Sequence, residues 1–92
     1  MIETRVVIVN QLGLHARAAA SLVRTAGRFS SLIRIERADG AASADAKSIL
    51  SVLMLAASRG TELRLSVDGG DEIEASQAIQ SLFATGFGEC VQ

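Results

Sequence analysis

A length of 92 residues suits one domain with a single core, and 49% hydrophobic residues exclude a disordered chain. Nine basic against ten acidic side chains, with no Tyr or Trp, argue against a nucleic-acid-binding protein, which usually shows a basic excess and aromatic stacking residues. The single cysteine, Cys90, cannot form an intrachain disulfide, and the apolar stretch at residues 6–9 is too short for a signal peptide or a membrane span. The sequence therefore predicts a cytoplasmic protein without membrane insertion.

The first quarter of the chain predicts a strand and a helix. Residues 3–9 alternate and are rich in β-branched side chains, which predicts a strand that is apolar on both faces near its end, as in the centre of a sheet. Residues 10–13 break the strand, and a helix is predicted from about residue 16 to 28. Its buried stripe has the spacing i, i+3, i+4, i+7 and consists of Ala19, Leu22, Val23 and Ala26.

A hairpin and a second helix follow. Residues 32–37 alternate, Asp39-Gly40 is a hairpin signal, and residues 41–44 form the predicted return strand. The second helical segment is predicted to begin at Ala44 or Asp45 and to end at Gly60. The residues with helical spacing in this segment are Ile49, Val52, Leu53 and Ala56.

The last quarter of the chain predicts a strand and a third helix. Residues 62–68 alternate cleanly, Gly69-Gly70 turns the chain, and Asp71 and Glu74 have the spacing of a capping box. The buried face of the helix is predicted to be Ala75, Ile79, Leu82 and Phe83. The order β-α-β-β-α-β-α over residues 1–92 predicts a single α+β domain, with helices packed on one side of an antiparallel sheet. These patterns leave the strand order open.

The candidate functional site is His15, the only histidine, which directly precedes the first predicted helix. Backbone N–H groups at a helix N-terminus have no intrahelical acceptor, and the helix dipole is positive there, so the position receives anions such as phosphate. An imidazole at this place can take a phosphoryl group covalently while the amides and Arg17 hold its oxygens. This context favours a phosphoryl acceptor over a surface histidine without a role.

Two surfaces near His15 are candidates for protein contact. Arg17, Arg24 and Arg28 fall on one face of the first helix, where they either steer acidic partners or form a solvated face. In the second helix Val52, Leu55 and Ala56 can supply the core. Exposed apolar patches mark protein contacts. The predicted partner surface consists of Ala16, Ala20, Arg24, Ile49, Leu50 and Leu53.

Two motifs in the chain resemble those of one family. Gly-Leu-His-Ala-Arg at 13–17, with a helix directly behind it, resembles the active-site segment of the HPr family, the histidine phosphocarriers of the bacterial phosphotransferase system. Ala-Lys-Ser-Ile-Leu at 46–50 is similar to the segment around the regulatory serine of that family. The element order and the separation of His15 from Ser48 fit as well, so the resemblance covers essentially the whole chain. Residues 82–87 are similar to the nitrogen-related branch, NPr.

The resemblance implies an open-faced β-sandwich and a carrier function without enzymatic turnover. A phosphoryl group would arrive from Enzyme I, or its nitrogen-branch counterpart, reside on Nδ1 of His15 beside Arg17, and leave to IIA domains. The HPr kinase/phosphorylase would modify Ser48, which otherwise serves as a helix cap. Most relatives have proline where this chain has Ala18, so we expect a softer helix start with the chemistry intact.

Other function classes have less support in the sequence. The chain lacks a metal-ligand cluster, a glycine-rich nucleotide loop and a nucleophile elbow, so we expect no cofactor and no metal. A hydrolase would need an acidic partner for His15 in a recognisable motif. The alternative function is a regulatory module that docks on other proteins without phosphoryl relay. We expect a monomer, and the sequence leaves open whether the carbohydrate or the nitrogen branch is served.

Overall fold

The structure is a computed structural model that describes residues 1–88, so Cys90 lies outside the described residues. Its elements in chain order are β1 Ile2–Val7, α1 Ala16–Ala26, β2 Leu32–Arg37, β3 Ser43–Asp45, α2 Ile49–Met54, β4 Glu62–Asp68 and α3 Glu72–Ala84, followed by a 3₁₀ turn at Gly86–Gly88. This order confirms the predicted β-α-β-β-α-β-α arrangement. In residues 1–88, each helix is too short or too polar to cross a bilayer.

The four strands form one antiparallel sheet in the order β1-β4-β2-β3. Along β4, Leu63, Leu65 and Val67 are buried towards the helices, whereas Arg64 and Ser66 lie on the opposite, open face. The period of two thus separates a core face from a solvated face on the same strand. The result is an open-faced β-sandwich with three helices on one side, as predicted.

The predicted central position of the first strand is wrong. β4 inserts between β1 and β2, so β1 pairs on one side only and forms an edge of the sheet. Val7 is accordingly 43% exposed. The strand ends at Val7, but the chain stays in register a little further, because the Ile8 amide donates to Thr61 O at 3.0 Å and the Gly60 amide donates to Ile8 O at 2.8 Å.

The core lies between the sheet and the helices. In α1 the predicted stripe is buried at Ala19, Leu22 and Ala26, with Val23 half-buried. In α3 the buried residues include Ala75, Ile79 and Phe83, and Leu82 is half-buried. Each fully buried Leu, Ile or Phe contributes about 1.5–3 kcal/mol of apolar transfer free energy, so these stripes fix how the helices lie on the sheet.

The predicted bounds of the second helix are wrong at both ends. Residues 43–45 pair with β2 as β3, so α2 begins only at Ile49. It ends at Met54, and Ala56 has a φ of 51°, which no right-handed helix can include. Ala56 is therefore exposed instead of buried, and Ala57 takes its place in the core. The helix ends well before Gly60.

The first helix is also shorter than predicted. It ends at Ala26, and Gly27 serves as the C-cap residue. Arg28 lies beyond the helix, so the predicted three-arginine stripe on one helix face reduces to Arg17 and Arg24.

The predicted capping box of the third helix is absent as such, because Asp71 is engaged elsewhere. Its carboxylate accepts hydrogen bonds from the Ser30 amide at 2.9 Å, from the Ser31 amide at 3.0 Å and from Ser31 Oγ. These hydrogen bonds lower the pKa of Asp71 to about 2, and the bond from the Ser31 hydroxyl contributes most to the lowering. Glu72, and not Glu74, caps the turn by accepting from the Gly69 amide at 3.1 Å. Asp71 thus fastens the start of α3 to the loop between α1 and β2.

Candidate functional site at the start of the first helix

His15 occupies the N-cap position of α1. Its backbone is extended, with φ −77° and ψ −179°, and its carbonyl accepts from the Ala19 amide at 2.8 Å, which closes the first helical turn. Nδ1 of the imidazole accepts from the Arg17 amide at 3.3 Å. Histidine is an uncommon N-cap residue, and here its ring nitrogen takes the part that a Ser or Asp oxygen usually plays. The ring is half-buried, so one side of it reaches solvent.

The loop that carries His15 is fixed on both sides. Asn10 is fully buried, and its Nδ2 donates to Gly13 O at 2.8 Å. The Leu14 amide donates to Ala57 O at 2.9 Å, and the Leu14 side chain is buried in the core. Gly13 has a φ of 67°, and a Cβ at this position would lie 2.5 Å from Ala57 O. Both the backbone angle and the close approach therefore require glycine.

The charge at the start of α1 is positive. Its first turn reads Ala16, Arg17, Ala18, Ala19, so it holds a guanidinium and no carboxylate. Arg17 and Arg24 are exposed, whereas Ala18 is buried at the third position of the helix. The amides of Ala16, Arg17 and Ala18 precede the first i→i−4 bond, so they point out of the helix at the end where the dipole is positive. The arrangement suits a dianionic group bound next to the imidazole.

α2 presents an apolar surface made of Ile49, Leu50, Leu53 and Met54, here named the α2 patch. Leu50 is 70% and Met54 79% exposed, and Ile49 is 39% exposed. Leu53 is half-buried and packs against the core, so it forms the base of the patch. Met54 is the most exposed member of the patch; the sequence leaves its side of the helix undecided, because helical spacing alone does not say which side of α2 faces the core. Leu12, in the loop before His15, is a further exposed apolar residue, at 69%.

Ser48 is the N-cap of α2, which confirms its predicted capping position. Its Oγ accepts from the Ser51 amide at 3.4 Å, and its carbonyl accepts from the Val52 amide at 3.0 Å. The residue before it is anchored as well. The Lys47 amide donates to Asp45 Oδ1 at 2.9 Å, and Lys47 Nζ donates to the Phe29 carbonyl at 2.8 Å.

His15 lies outside a groove of about 530 Å³ that runs between β1 and α3. The lining of this groove includes Val7, Val9, Gln77 and Phe83 but no residue from 10 to 15. Residues 1–88 contain no group of three or more His, Cys, Asp or Glu side chains that could hold a metal ion. The half-buried imidazole keeps part of its surface exposed to solvent, where a large reactant can reach it.

Comparison with known proteins identifies the family. A family model described as "PTS HPr component phosphorylation site" matches residues 2–85. The chain belongs to the HPr family. HPr of Cupriavidus necator is 46% identical over 89 residues, covering 97% of this chain and 98% of that protein. HPr of Pseudomonas aeruginosa is 45% identical over 84 residues, covering 91% and 92%.

Solved structures agree with this assignment. An HPr from Thermoanaerobacter tengcongensis has a TM-score of 0.92 and 42% identity, covering 99% of this chain and 100% of that chain. Crh of Bacillus subtilis, described as a catabolite repression protein, has a TM-score of 0.70 and 37% identity, covering 100% of both chains. The chain is accordingly a phosphocarrier protein of the phosphotransferase system, and the predicted family and fold are confirmed.

Proposed function

We propose that the phosphoryl group is carried on Nδ1 of His15, received from Enzyme I and passed to IIA domains. The observation that carries this proposal is the hydrogen bond of 3.3 Å from the Arg17 amide to Nδ1. It places one particular ring nitrogen at the amide-rich end of α1, among the donors that a phosphoryl group needs.

The chemistry follows from that position. In the forward step the Nδ1 lone pair bonds to phosphorus while the bond from phosphorus to the donor breaks, and the same step in reverse delivers the group to an acceptor. The lone pair that forms the P–N bond can no longer accept from the Arg17 amide. That amide then donates to a phosphoryl oxygen, which is a stronger acceptor because it is charged. Phosphoryl transfer depends on positioning and charge stabilisation, and the loop supplies both.

Arg17 and Ala18 complete the proposed phosphoryl site. The Arg17 guanidinium adds a positive charge within the first turn, where it can balance the dianion. Ala18 keeps a backbone N–H that proline would lack, and this N–H precedes the first intrahelical bond. Neither residue is the nucleophile: Arg17 acts on the stability of the bound group, and the Ala18 N–H is an additional donor that transfer does not require.

Partners dock on the surface that surrounds the imidazole. We assign to it Ala16, Ala20, Arg24, Ile49, Leu50 and Leu53, and we add Met54. The small side chains of Ala16 and Ala20 let a partner approach the ring closely, and Arg24 favours partners with acidic surfaces. The α2 patch supplies apolar area that leaves water when a partner binds. The protein acts as a cytoplasmic monomer.

Ser48 is the proposed regulatory site for an HPr kinase/phosphorylase. A phosphate on Oγ adds about −1.5 to −2 charges at the start of α2, which the helix dipole tolerates. The same charge lies beside the α2 patch and repels partners with acidic surfaces. Phosphorylation of Ser48 would therefore lower the rate of exchange at His15 without a change of fold.

The test is incubation with Enzyme I and phosphoenolpyruvate. We expect one acid-labile, base-stable phosphoryl label per chain, lost in His15→Ala and retained in Ser48→Ala. The matched control is Asp71→Asn, which alters a carboxylate at another helix start and should keep the label. A wild-type protein that takes no label would refute the proposal. Binding of a regulator that survives His15→Ala would instead favour the alternative function, a regulatory module that docks on other proteins.

A further inference from the structure

Arg37, the last residue of β2, binds the C-terminal end of α2. Its Nη1 donates to Leu55 O at 3.0 Å and to Ala56 O at 3.5 Å. On its other side the guanidinium is held by the Asp39 carboxylate, with Nε and Nη2 each at 3.3 Å. The Arg37 side chain is only 25% exposed, compared with 56% for Asp39. The guanidinium is thus locked between a turn and a helix end.

α2 needs such a partner at this end. It has six residues, too few for a stable helix by itself, and its sequence Ile-Leu-Ser-Val-Leu-Met contains no charge. Val52 O and Leu53 O accept from the Leu55 and Ala56 amides. The carbonyls of Leu55 and Ala56 themselves lie just past the helix, where the dipole is negative and a cation is favourable. Ser48 caps the beginning of α2, and the cation at its other end comes from β2.

The same segment leads directly to the His15 loop. After Leu55 and Ala56, the next carbonyl, that of Ala57, accepts from the Leu14 amide at 2.9 Å. Ala56 has a positive φ of 51°. The carbonyls that Arg37 binds and the carbonyl that Leu14 binds therefore belong to one tight backbone turn at residues 55–57. A displacement of residues 55–57 would therefore move Leu14, and with it the adjacent His15.

We infer that Arg37, locked by Asp39, is a positioning residue of the phosphoryl-transfer site. By fixing residues 55–57 it holds the α2 patch and the His15 loop in one relative geometry, the one that a partner must meet. This inference rests on the proposed function of His15. Arg37 itself lies outside the phosphoryl site and touches no reacting atom. If instead the Arg37–Asp39 pair only stabilised the hairpin, its removal would lower the unfolding temperature and leave transfer kinetics unchanged.

The experiment compares Arg37→Gln and Arg37→Lys with Arg64→Gln. Arg64 forms an exposed ion pair with Glu36 at 3.3 Å on the open face of the sheet, so its variant removes a similar charge next to β2 without contact to α2. Transfer from Enzyme I is measured with the carrier as varied substrate, at a temperature where circular dichroism shows every variant folded. Backbone amide NMR shifts of Leu14 and His15 are recorded for the same samples.

We expect kcat/KM to fall about tenfold in Arg37→Gln and less in Arg37→Lys, which keeps a cation near the carbonyls. Arg64→Gln should stay within about twofold of the wild type. The Leu14 and His15 amides should shift in Arg37→Gln and not in Arg64→Gln. Kinetics and shifts in Arg37→Gln equal to those of Arg64→Gln would overturn the inference. If the wild type took no label, the proposed function would fail, while the amide shifts would still decide whether Arg37 positions the loop. If Arg37→Gln did not fold, Arg37→Lys and Asp39→Ala would be compared with Arg64→Gln in the same way.

Discussion

The starts of α1 and α3 are built from opposite charges. At α3 the cap residue and the next one, Asp71 and Glu72, are acidic, and their carboxylates accept backbone amides of the protein itself. At α1 the cap is a histidine and the first turn carries only Arg17 and alanines. The positive end of α3 is therefore neutralised by the protein's own carboxylates, and Asp71 anchors this end to the loop between α1 and β2. The positive end of α1 remains available to an anion from outside. The comparison distinguishes the start of α1, whose charge is left unbalanced, as the helix end that suits the proposed phosphoryl site.

The largest expected effect comes from giving α1 the charge pattern of α3. In Ala16→Glu a carboxylate lies in the first turn, where it should stabilise the helix by about 0.3–1 kcal/mol. The same charge repels the phosphoryl dianion, so kcat/KM for phosphorylation by Enzyme I should fall about ten- to a hundredfold. Ala16→Gln, with the same size and no charge, is the control. Equal rates in the two variants would contradict the role assigned to the charge.

The second prediction concerns the hydrogen bonds of Asp71 at the start of α3. In Asp71→Asn the acceptors for Ser30 and Ser31 are weakened, so the free energy of unfolding at pH 7 should decrease, with phosphoryl transfer unaffected. The pKa of Asp71 is lowered in the folded state to about 2, compared with about 3.9 in an unfolded chain. Its stabilisation is thus complete above the unfolded value and is lost as the pH falls through the folded one.

The difference between wild type and Asp71→Asn in denaturant midpoint should therefore be full at neutral pH. It should shrink from about pH 5 downwards and vanish only below pH 2, where the folded wild-type carboxyl is protonated as well. Urea unfolding of both proteins at several pH values measures this difference in midpoint. A difference that stays constant over this range would show that the carboxylate charge is not its source.

The smallest expected effect is that of Ala18→Pro. The Ala18 amide precedes the first i→i−4 bond, so proline removes no intrahelical hydrogen bond and fixes φ at a helical value. We expect a stability gain of about 0.4–1 kcal/mol through the unfolded chain, and a phosphorylation rate within about twofold of the wild type. Thermal unfolding and the Enzyme I assay measure the two quantities. A tenfold loss of rate would show that the Ala18 amide is an essential donor to the phosphoryl group.

Features set by neighbours in sequence were predictable. The alternation in β2 and β4, the buried stripes of α1 and α3, and the place of His15 before a helix all depend on residues within a few positions of one another. The motif around His15, which spans five consecutive residues, likewise indicates the family. Local signals placed the start of the second helix too early, because the return strand of the predicted hairpin extends to Asp45 and α2 is capped only at Ser48.

The contacts that hold the site were not predictable. Leu14 meets Ala57, Asp71 meets Ser30 and Ser31, and Arg37 meets Leu55, and each pair is separated by many residues. The spacing of Asp71 and Glu74 fits a capping box, yet the Asp71 carboxylate finds better donors in another loop. The edge position of β1 likewise depends on strand order, which amphipathic patterns do not encode.

The nitrogen that caps α1 is also the proposed nucleophile, and this identity has an energetic consequence. The hydrogen bond from the Arg17 amide to Nδ1 stabilises only the unphosphorylated carrier, since a phosphorylated Nδ1 has no lone pair to accept it. Whatever strengthens that bond favours departure of the phosphoryl group, and whatever strengthens amide contacts to its oxygens favours retention. By linkage, the group-transfer potential of the carrier is set in part by how well the helix end is satisfied in each of its two states.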